Sequence, residues 1–187
     1  MTIGSICSGV GGIDYALEQC NPPFEIAFQV ENNAYCRKVL DRHWPEVPKF
    51  SDVTDLDGAE LPQADIVVAG FPCQPFSLAS SKRKGAEDER FIWDDIWRVT
   101  LEVGCRGLLL ENVPAILHNG EAMSRILSDL ARHGWSCQWD CLSCTQVGGL
   151  HQRKRWFCWC YPDMADTDRE GLEGRGILRE RSDQRAT

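Results

Sequence analysis

A short apolar run that stops at a proline-framed cysteine constrains this chain more than any other stretch. Asp65-Ile66-Val67-Val68-Ala69 is β-branched and apolar after its first residue, the pattern of a strand buried on both faces in a parallel sheet. Gly70-Phe71-Pro72-Cys73-Gln74-Pro75-Phe76-Ser77 follows at once. Pro72 and Pro75 hold the residues before them extended and remove two amide donors, so the loop is stiffened around the thiol and does not continue as a helix. Cys73 is thereby delivered to the carboxyl end of a buried strand. A free cysteine has a pKa of about 8.5 and is mostly protonated at pH 7, and most buried cysteines are structural. A nucleophilic role therefore depends on the residues around it.

The same strand-to-chemistry arrangement recurs along the chain. Residues 2–7 read as a first strand, Ser8-Gly9-Val10-Gly11-Gly12 as a turn, and Ile13, Ala16, Leu17 and Cys20 as the apolar face of a helix. Glycines let the backbone approach a ligand, and the helix N-terminus offers free amides. The Gly-x-Gly-Gly spacing is not that of dinucleotide binders, which disfavours a nicotinamide enzyme. Residues 25–30 read as a second strand ending at Glu31, where a carboxylate can accept both hydroxyls of a ribose or stand exposed to solvent. A later strand, residues 107–110, delivers Glu111 to the edge where open α/β sheets put their ligands. One carboxylate thus accompanies one thiol.

Between these strands lies polar sequence without apolar period, residues 80–90, which reads as a mobile loop. Phe91, Ile92, Ile96 and Val99 then have helical spacing, with Trp93 and Trp97 as packing residues. Met123, Ile126, Leu127 and Leu130 form another amphipathic helix, ended by His133-Gly134. Residues 135–142 and 156–161 read as two strands, joined by a loop carrying Gly148-Gly149-Leu150-His151-Gln152-Arg153-Lys154-Arg155. From Pro162 the sequence turns polar, so residues 1–163 are expected to form the core and 164–187 a flexible tail or the start of an absent region.

Composition narrows the functional class. At 187 residues the chain suits one domain. No apolar run reaches the roughly 20 residues of a membrane span, and no signal peptide is evident, so a cytoplasmic location and no membrane partner are expected. The ten cysteines are read as reduced thiols. Cys141 and Cys144 have Cys-x-x-Cys spacing, but Cys158-x-Cys160 is irregular, so buried thiols are favoured over zinc. The net charge of −8 suits phosphate binding only through local patches, Lys82-Arg83-Lys84 and Arg153-Lys154-Arg155.

Phe71-Pro72-Cys73-Gln74-Pro75-Phe76-Ser77 resembles the nucleophile motif of the DNA (cytosine-5)-methyltransferases. Residues 5–12 resemble that family's S-adenosylmethionine motif, commonly Asp-Leu-Phe-Ala-Gly-x-Gly-Gly, with Ser5 in place of the aspartate and Cys7 in place of the phenylalanine. Val30-Glu31-Asn32-Asn33 resembles its ribose-binding segment, Ser51-Asp52-Val53 its adenine-side loop, Glu111-Asn112-Val113 its carboxylate motif, and Arg153-Lys154-Arg155 its Arg-x-Arg motif. With these motifs in family order over residues 5–160, the chain is identified as a catalytic core of the compact phage and bacterial type.

The resemblance implies a three-layer Rossmann-like α/β fold with a terminal antiparallel strand, incomplete at its C-terminus. It implies methyl transfer from S-adenosylmethionine to carbon 5 of cytosine in double-stranded DNA through a covalent adduct with Cys73. Glu111, Arg153 and Arg155 are the other catalytic residues implied. Cofactor contacts are implied for Cys7, Gly9, Gly11, Gly12, Glu31, Asn32, Asp52, Val53, Gly70 and Pro72. The family's target-recognition region and its Gly-Asn-rich segment do not occur before Thr187, which implies a split enzyme with a second polypeptide supplying recognition, a truncated product or an inactive remnant. A noncatalytic S-adenosylmethionine-binding regulatory subunit and a tRNA cytosine-5 methyltransferase stand as alternatives.

Overall fold

The computed structural model describes residues 1–72 and 91–163. Cys73, the loop at 80–90 with its basic patch, and the tail at 164–187 lie outside the described residues. Among the described residues, a seven-stranded sheet is built from β1 (Thr2–Ile6), β2 (Glu25–Val30), β3 (Lys49–Phe50), β4 (Ile66–Ala69), β5 (Leu108–Asn112), β6 (Trp135–Ser143) and β7 (Lys154–Pro162). Their spatial order is β3-β2-β1-β4-β5-β7-β6. β1 pairs in parallel with β2 and β4, and β4 with β5, whereas β7 runs antiparallel to both β5 and β6. The expected terminal antiparallel strand is therefore β7, last among the described strands and inserted beside the edge strand β6. The two-residue β3 was not legible in the sequence, because a strand that short has no period to read.

Among the described residues, four α-helices connect the strands: α1 (Gly12–Glu18), α2 (Ala34–His43), α3 (Trp93–Val103) and α4 (Gly120–Arg132). The chain moves one way across the sheet from β1 to β3 and the other way from β4 to β6. Right-handed crossovers in opposite directions place α1 and α2 on one face and α3 and α4 on the other.

Local sequence explains where the helices start and what they bury. Asn33 caps α2 by accepting from the amides of Tyr35 and Cys36, and Asn119 caps α4 by accepting from Ala122. α3 buries Trp93, Ile96, Trp97, Val99, Thr100 and Val103, the 3- and 4-residue spacing of one helical face. Each large apolar side chain buried there contributes roughly 1.5–3 kcal/mol relative to exposure. Trp93 stacks on Trp97 with ring centroids 5.6 Å apart, and Trp97 meets Trp135 of β6 edge-on at 5.3 Å. The aromatic cluster joins α3 to β6 at the edge of the sheet.

Candidate functional site

The order of strands reverses between β1 and β4, the place where open α/β sheets form a crevice. A cleft of about 550 Å³ opens there, within the usual size range of small-molecule sites. Cys7 and Gly9 line it from the turn after β1, Glu31 and Asn32 from the end of β2, and Asp52, Val53 and Thr54 from the loop after β3. Gly70, Phe71 and Pro72 follow the end of β4, Glu111 and Asn112 belong to β5, Arg153 directly precedes β7 and Arg155 is its second residue.

Backbone conformation shapes the first wall. Cys7, Gly9 and Gly11 all have positive φ, and Gly11 immediately precedes α1. The turn is tied down by Ser8, whose amide donates to Val30 O at 3.1 Å and whose carbonyl accepts from the Gly11 amide at 2.9 Å. Glu31 sits across it. Its Oε2 accepts from the Gly9 amide and its Oε1 from the Asn33 amide, both at 2.8 Å, so one carboxylate joins the turn to the start of α2. Arg37 supports the same corner, donating from Nη1 to the carbonyls of Glu31 and Asn32 at 2.7 Å.

Cys7 is a wall residue without nucleophilic character. Burial, followed by the negative charges of Glu31 and Asp52, pushes its thiol up to about 12, so it stays protonated at neutral pH. Beneath the turn, Asp14 of α1 is buried and accepts from Ser5 Oγ and Gln29 Nε2, each at 2.7 Å. Burial raises the Asp14 carboxyl above its ordinary range, and these two donors pull against that rise.

The second wall centres on Glu111. Glu111 stands opposite Phe157 in the β5–β7 ladder, and Arg155 is the next residue of β7 on the same face, a diagonal neighbour. Arg155 Nε approaches Glu111 Oε1 to 2.8 Å, and both side chains keep about a quarter or less of their surface, at 25% and 20%. Such a pair is held more firmly than a surface ion pair and still faces the cleft. Asn112, wholly buried, donates from Nδ2 to Phe71 O at 3.3 Å and so joins β5 to the backbone entering Pro72.

The third wall is positioned from behind by α3. Asp52 Oδ1 accepts from the Thr54 amide at 3.0 Å and from its hydroxyl at 2.9 Å, forming a tight turn. Arg98 then donates to the carbonyls of Val53 at 3.0 Å and Leu56 at 2.6 Å, while Glu102 accepts from the Gly58 amide at 2.8 Å. Ion pairs from Arg98 to Asp95 and Glu102 fix the guanidinium.

Of the residues singled out from sequence, Cys7, Gly9, Glu31, Asn32, Asp52, Val53, Gly70, Pro72, Glu111, Arg153 and Arg155 converge on this one cleft. Gly11 and Gly12 do not line it. Gly11 is packed under the indole of Trp44, and Gly12 opens α1. Cys73 lies outside the described residues, one position beyond Pro72. Sequence reading missed Phe71, Ile92 and Asn112 as lining residues, although Phe71 and Asn112 stand beside residues it chose. It also missed Asp14 and Arg98, whose roles are to hold loops and which carry no motif. The Cys141 and Cys144 pair is not brought to Cys158 and Cys160: Cys141 faces Trp156 and Cys144 begins the turn after β6.

The family model for C-5 cytosine-specific DNA methylase matches residues 1–174. The type II methyltransferase M.CviJI of Paramecium bursaria Chlorella virus IL3A is 31% identical over 152 residues, covering 81% of this chain and 40% of that protein. The type II methyltransferase M.HhaI of Haemophilus parahaemolyticus is 31% identical over 157 residues, covering 82% of this chain and 47% of that protein. The chain thus spans about half or less of the length of these relatives. In fold it is similar to the S. pombe Dnmt2 methyltransferase, with TM-score 0.72, 20% identity, and coverage of 97% of this chain and 57% of that one.

Proposed function

This chain belongs to the C-5 cytosine-specific DNA methylase family, and from that premise we propose that it transfers a methyl group from S-adenosylmethionine to carbon 5 of cytosine in double-stranded DNA. The observation that carries the proposal is the convergence of the Glu31 corner and the Glu111–Arg155 pair on one cleft at the end of β4, directly before the Pro72-Cys73 dipeptide.

The cleft fits the proposed cofactor in chemistry as well as size. Glu31 offers remaining lone pairs to ribose hydroxyls, Asp52 is an acceptor for an exocyclic amine, and Val53, Phe71 and Ile92 give apolar walls for a ring. The space above Gly9 is open, since a Cβ built there meets nothing within 4 Å. S-adenosylmethionine, when bound, supplies an electrophilic methyl group on a sulfonium.

The remaining chemistry is assigned to the chain's own residues. Cytosine carbon 5 is a poor nucleophile, so the Cys73 thiolate adds to carbon 6 and electron density moves onto carbon 5. Glu111 passes a proton to ring nitrogen 3 as negative charge develops there and takes it back when the ring is restored. Arg155 orients Glu111, and Arg153 at the rim binds the extruded cytosine or its phosphates. Extrusion costs a few kcal/mol. Once carbon 5 is methylated, a base takes its proton, the electron pair forms the 5,6 double bond and the Cys73 sulfur departs as thiolate, restoring the ring.

A net charge of −8 leaves few phosphate contacts, so the proposal includes a second polypeptide that supplies sequence-specific base reading. The test is a DNA duplex carrying 5-fluorocytosine, incubated with S-adenosylmethionine and the protein. A covalent complex that vanishes in Cys73→Ser, with cofactor affinity kept, is expected. A complex that persists in that variant would move the nucleophile elsewhere. Robust methylation of one defined motif by these 187 residues alone would remove the second polypeptide from the proposal.

A further inference from the structure

The hairpin of β6 and β7 carries four thiols, Cys137, Cys141, Cys158 and Cys160, that methyl transfer leaves unused. Its register decides what they can do. The Asp163 amide donates to Gly134 O at 2.7 Å and the Cys144 amide donates to Arg153 O at 2.9 Å. Pairing runs unbroken between these points, so even-numbered residues of β6 occupy hydrogen-bonded sites and odd-numbered ones the non-hydrogen-bonded sites. Cys137 pairs directly with Cys160 and falls in the second class. At such sites Cα atoms approach to roughly 4.5 Å and side chains lie closest, inside the roughly 4.4–6.8 Å range that a disulfide spans.

Burial gives the two thiols different roles. Cys160 is wholly buried and Cys137 half-buried, so a reagent from solvent meets Cys137 first. Cys158 is buried on the same face of β7, with its sulfur 3.7 Å from that of Cys160. It is the less suitable partner for either neighbour. Two residues along one strand span roughly 6.6 Å between Cα atoms, at the upper limit for a disulfide, and the diagonal from Cys137 to Cys158 is longer still.

We propose that Cys137 and Cys160 form a peroxide-oxidisable dithiol in which Cys137 attacks and Cys160 resolves. The Cys137 thiolate attacks one oxygen of hydrogen peroxide, the O–O bond breaks, and hydroxide leaves to become water on taking a proton. The product is a sulfenic acid on Cys137. The Cys160 sulfur then attacks the Cys137 sulfur and the S–O bond breaks. The departing hydroxide takes the Cys160 proton. In balance, two thiols and one peroxide give one disulfide and two waters, with two electrons passed from sulfur to oxygen. The local environment favours this division. Hydrogen bonds from the Cys160 and Cys158 thiols bring Cys137 down to about 7, so much of it is thiolate at neutral pH, while the hydrogen bonds to Cys137 and Cys158, and then burial, push Cys160 up. The pair faces Leu108 at the start of β5, at the opposite end of that strand from Glu111.

The test treats the purified chain with equimolar hydrogen peroxide, blocks remaining thiols by alkylation and maps cross-links by mass spectrometry. A reducible Cys137–Cys160 link as the main product is expected. In Cys160→Ser, Cys137 should accumulate as sulfenic acid and take up dimedone several-fold more than in the unaltered chain. A main link through any other cysteine, or no link, overturns the proposal. A second measurement needs no variant: the alkylation rate of Cys137 against pH should turn near pH 7. A turn at the ordinary cysteine value of about 8.5 overturns Cys137 as the attacking thiol.

Discussion

Alanine at Gly11 and alanine at Gly9 should damage the protein in different ways, although the two positions are neighbours in one turn. Both have positive φ, at 82° and 57°, a conformation that costs an L-residue roughly 1–2 kcal/mol. They differ in what a methyl group would meet. At Gly11 it would lie 2.3 Å from Cζ3 and 2.5 Å from Cη2 of Trp44. The indole cannot swing aside freely, because its Nε1 donates to Glu18 Oε1 at 2.7 Å. Overpacking of that kind adds roughly 1–3 kcal/mol, so Gly11→Ala should lose about 2–5 kcal/mol in total. At roughly 2–4 °C per kcal/mol for a chain of this size, Tm should fall by about 4–20 °C.

Gly9→Ala should lose only the backbone share of about 1–2 kcal/mol, since nothing lies within 4 Å of the new methyl. Gly9 lines the cleft, however, and its amide holds Glu31. Its alanine variant should therefore weaken S-adenosylmethionine binding by about tenfold or more, equivalent to about 1.4 kcal/mol. Urea unfolding and titration calorimetry on both variants read the two effects separately. Equal stability losses would refute the steric role of Trp44. Unchanged affinity in Gly9→Ala would refute the location of the cofactor.

Two further predictions concern groups that support the cleft from behind. The Asp14 carboxyl is raised by burial from its ordinary value of 3.8, so the folded state holds its proton more tightly than the unfolded chain does. The stability this contributes is present below 3.8 and is lost as pH rises through the raised folded value. The unfolding free energy of the unaltered chain minus that of Asp14→Asn should accordingly fall with rising pH across that window, and a difference that rises would reverse the assignment. Arg98→Met removes charged donors from the carbonyls of Val53 and Leu56, at a cost of roughly 1.5–3 kcal/mol. Amide hydrogen exchange should speed up in residues 53–58 more than in β1 or β4, and uniform acceleration would show that Arg98 acts on global stability alone.

How much of this was legible in the sequence varied with the range of the interaction. The strands that lead to Glu31, Pro72 and Glu111 were legible because a buried parallel strand is a mostly apolar run, and its end is marked by the first polar or proline-bound positions. The α4 helix was legible from the spacing of Met123, Ile126, Leu127 and Leu130 up to His133-Gly134, again a local pattern, whereas its Asn119 cap was not read. Asp14 was not, because its burial depends on Ser5 and Gln29 arriving from two other elements. Arg98 reads as an exposed helical charge until the loop at 53–58 is folded against it. The Glu111–Arg155 contact required knowing that β7 inserts between β5 and β6, which no local pattern announces.

The cysteines make the same point through register. A search by spacing draws attention to Cys141 and Cys144, because metal sites repeat short intervals along the chain. In a hairpin the relevant interval is set by the turn, and a shift of one residue exchanges which face each side chain occupies. Here the turn between Ser143 and Lys154 places Cys137 opposite Cys160, with 22 residues between them, and leaves Cys141 against Trp156. Inserting two residues in one arm of the hairpin would keep every face but move Cys137 away from Cys160, while leaving the apolar pattern of β7 unchanged. The thiol pair thus depends on the length of the connection, whereas the burial of Trp156, Cys158 and Cys160 depends only on their alternation along the strand.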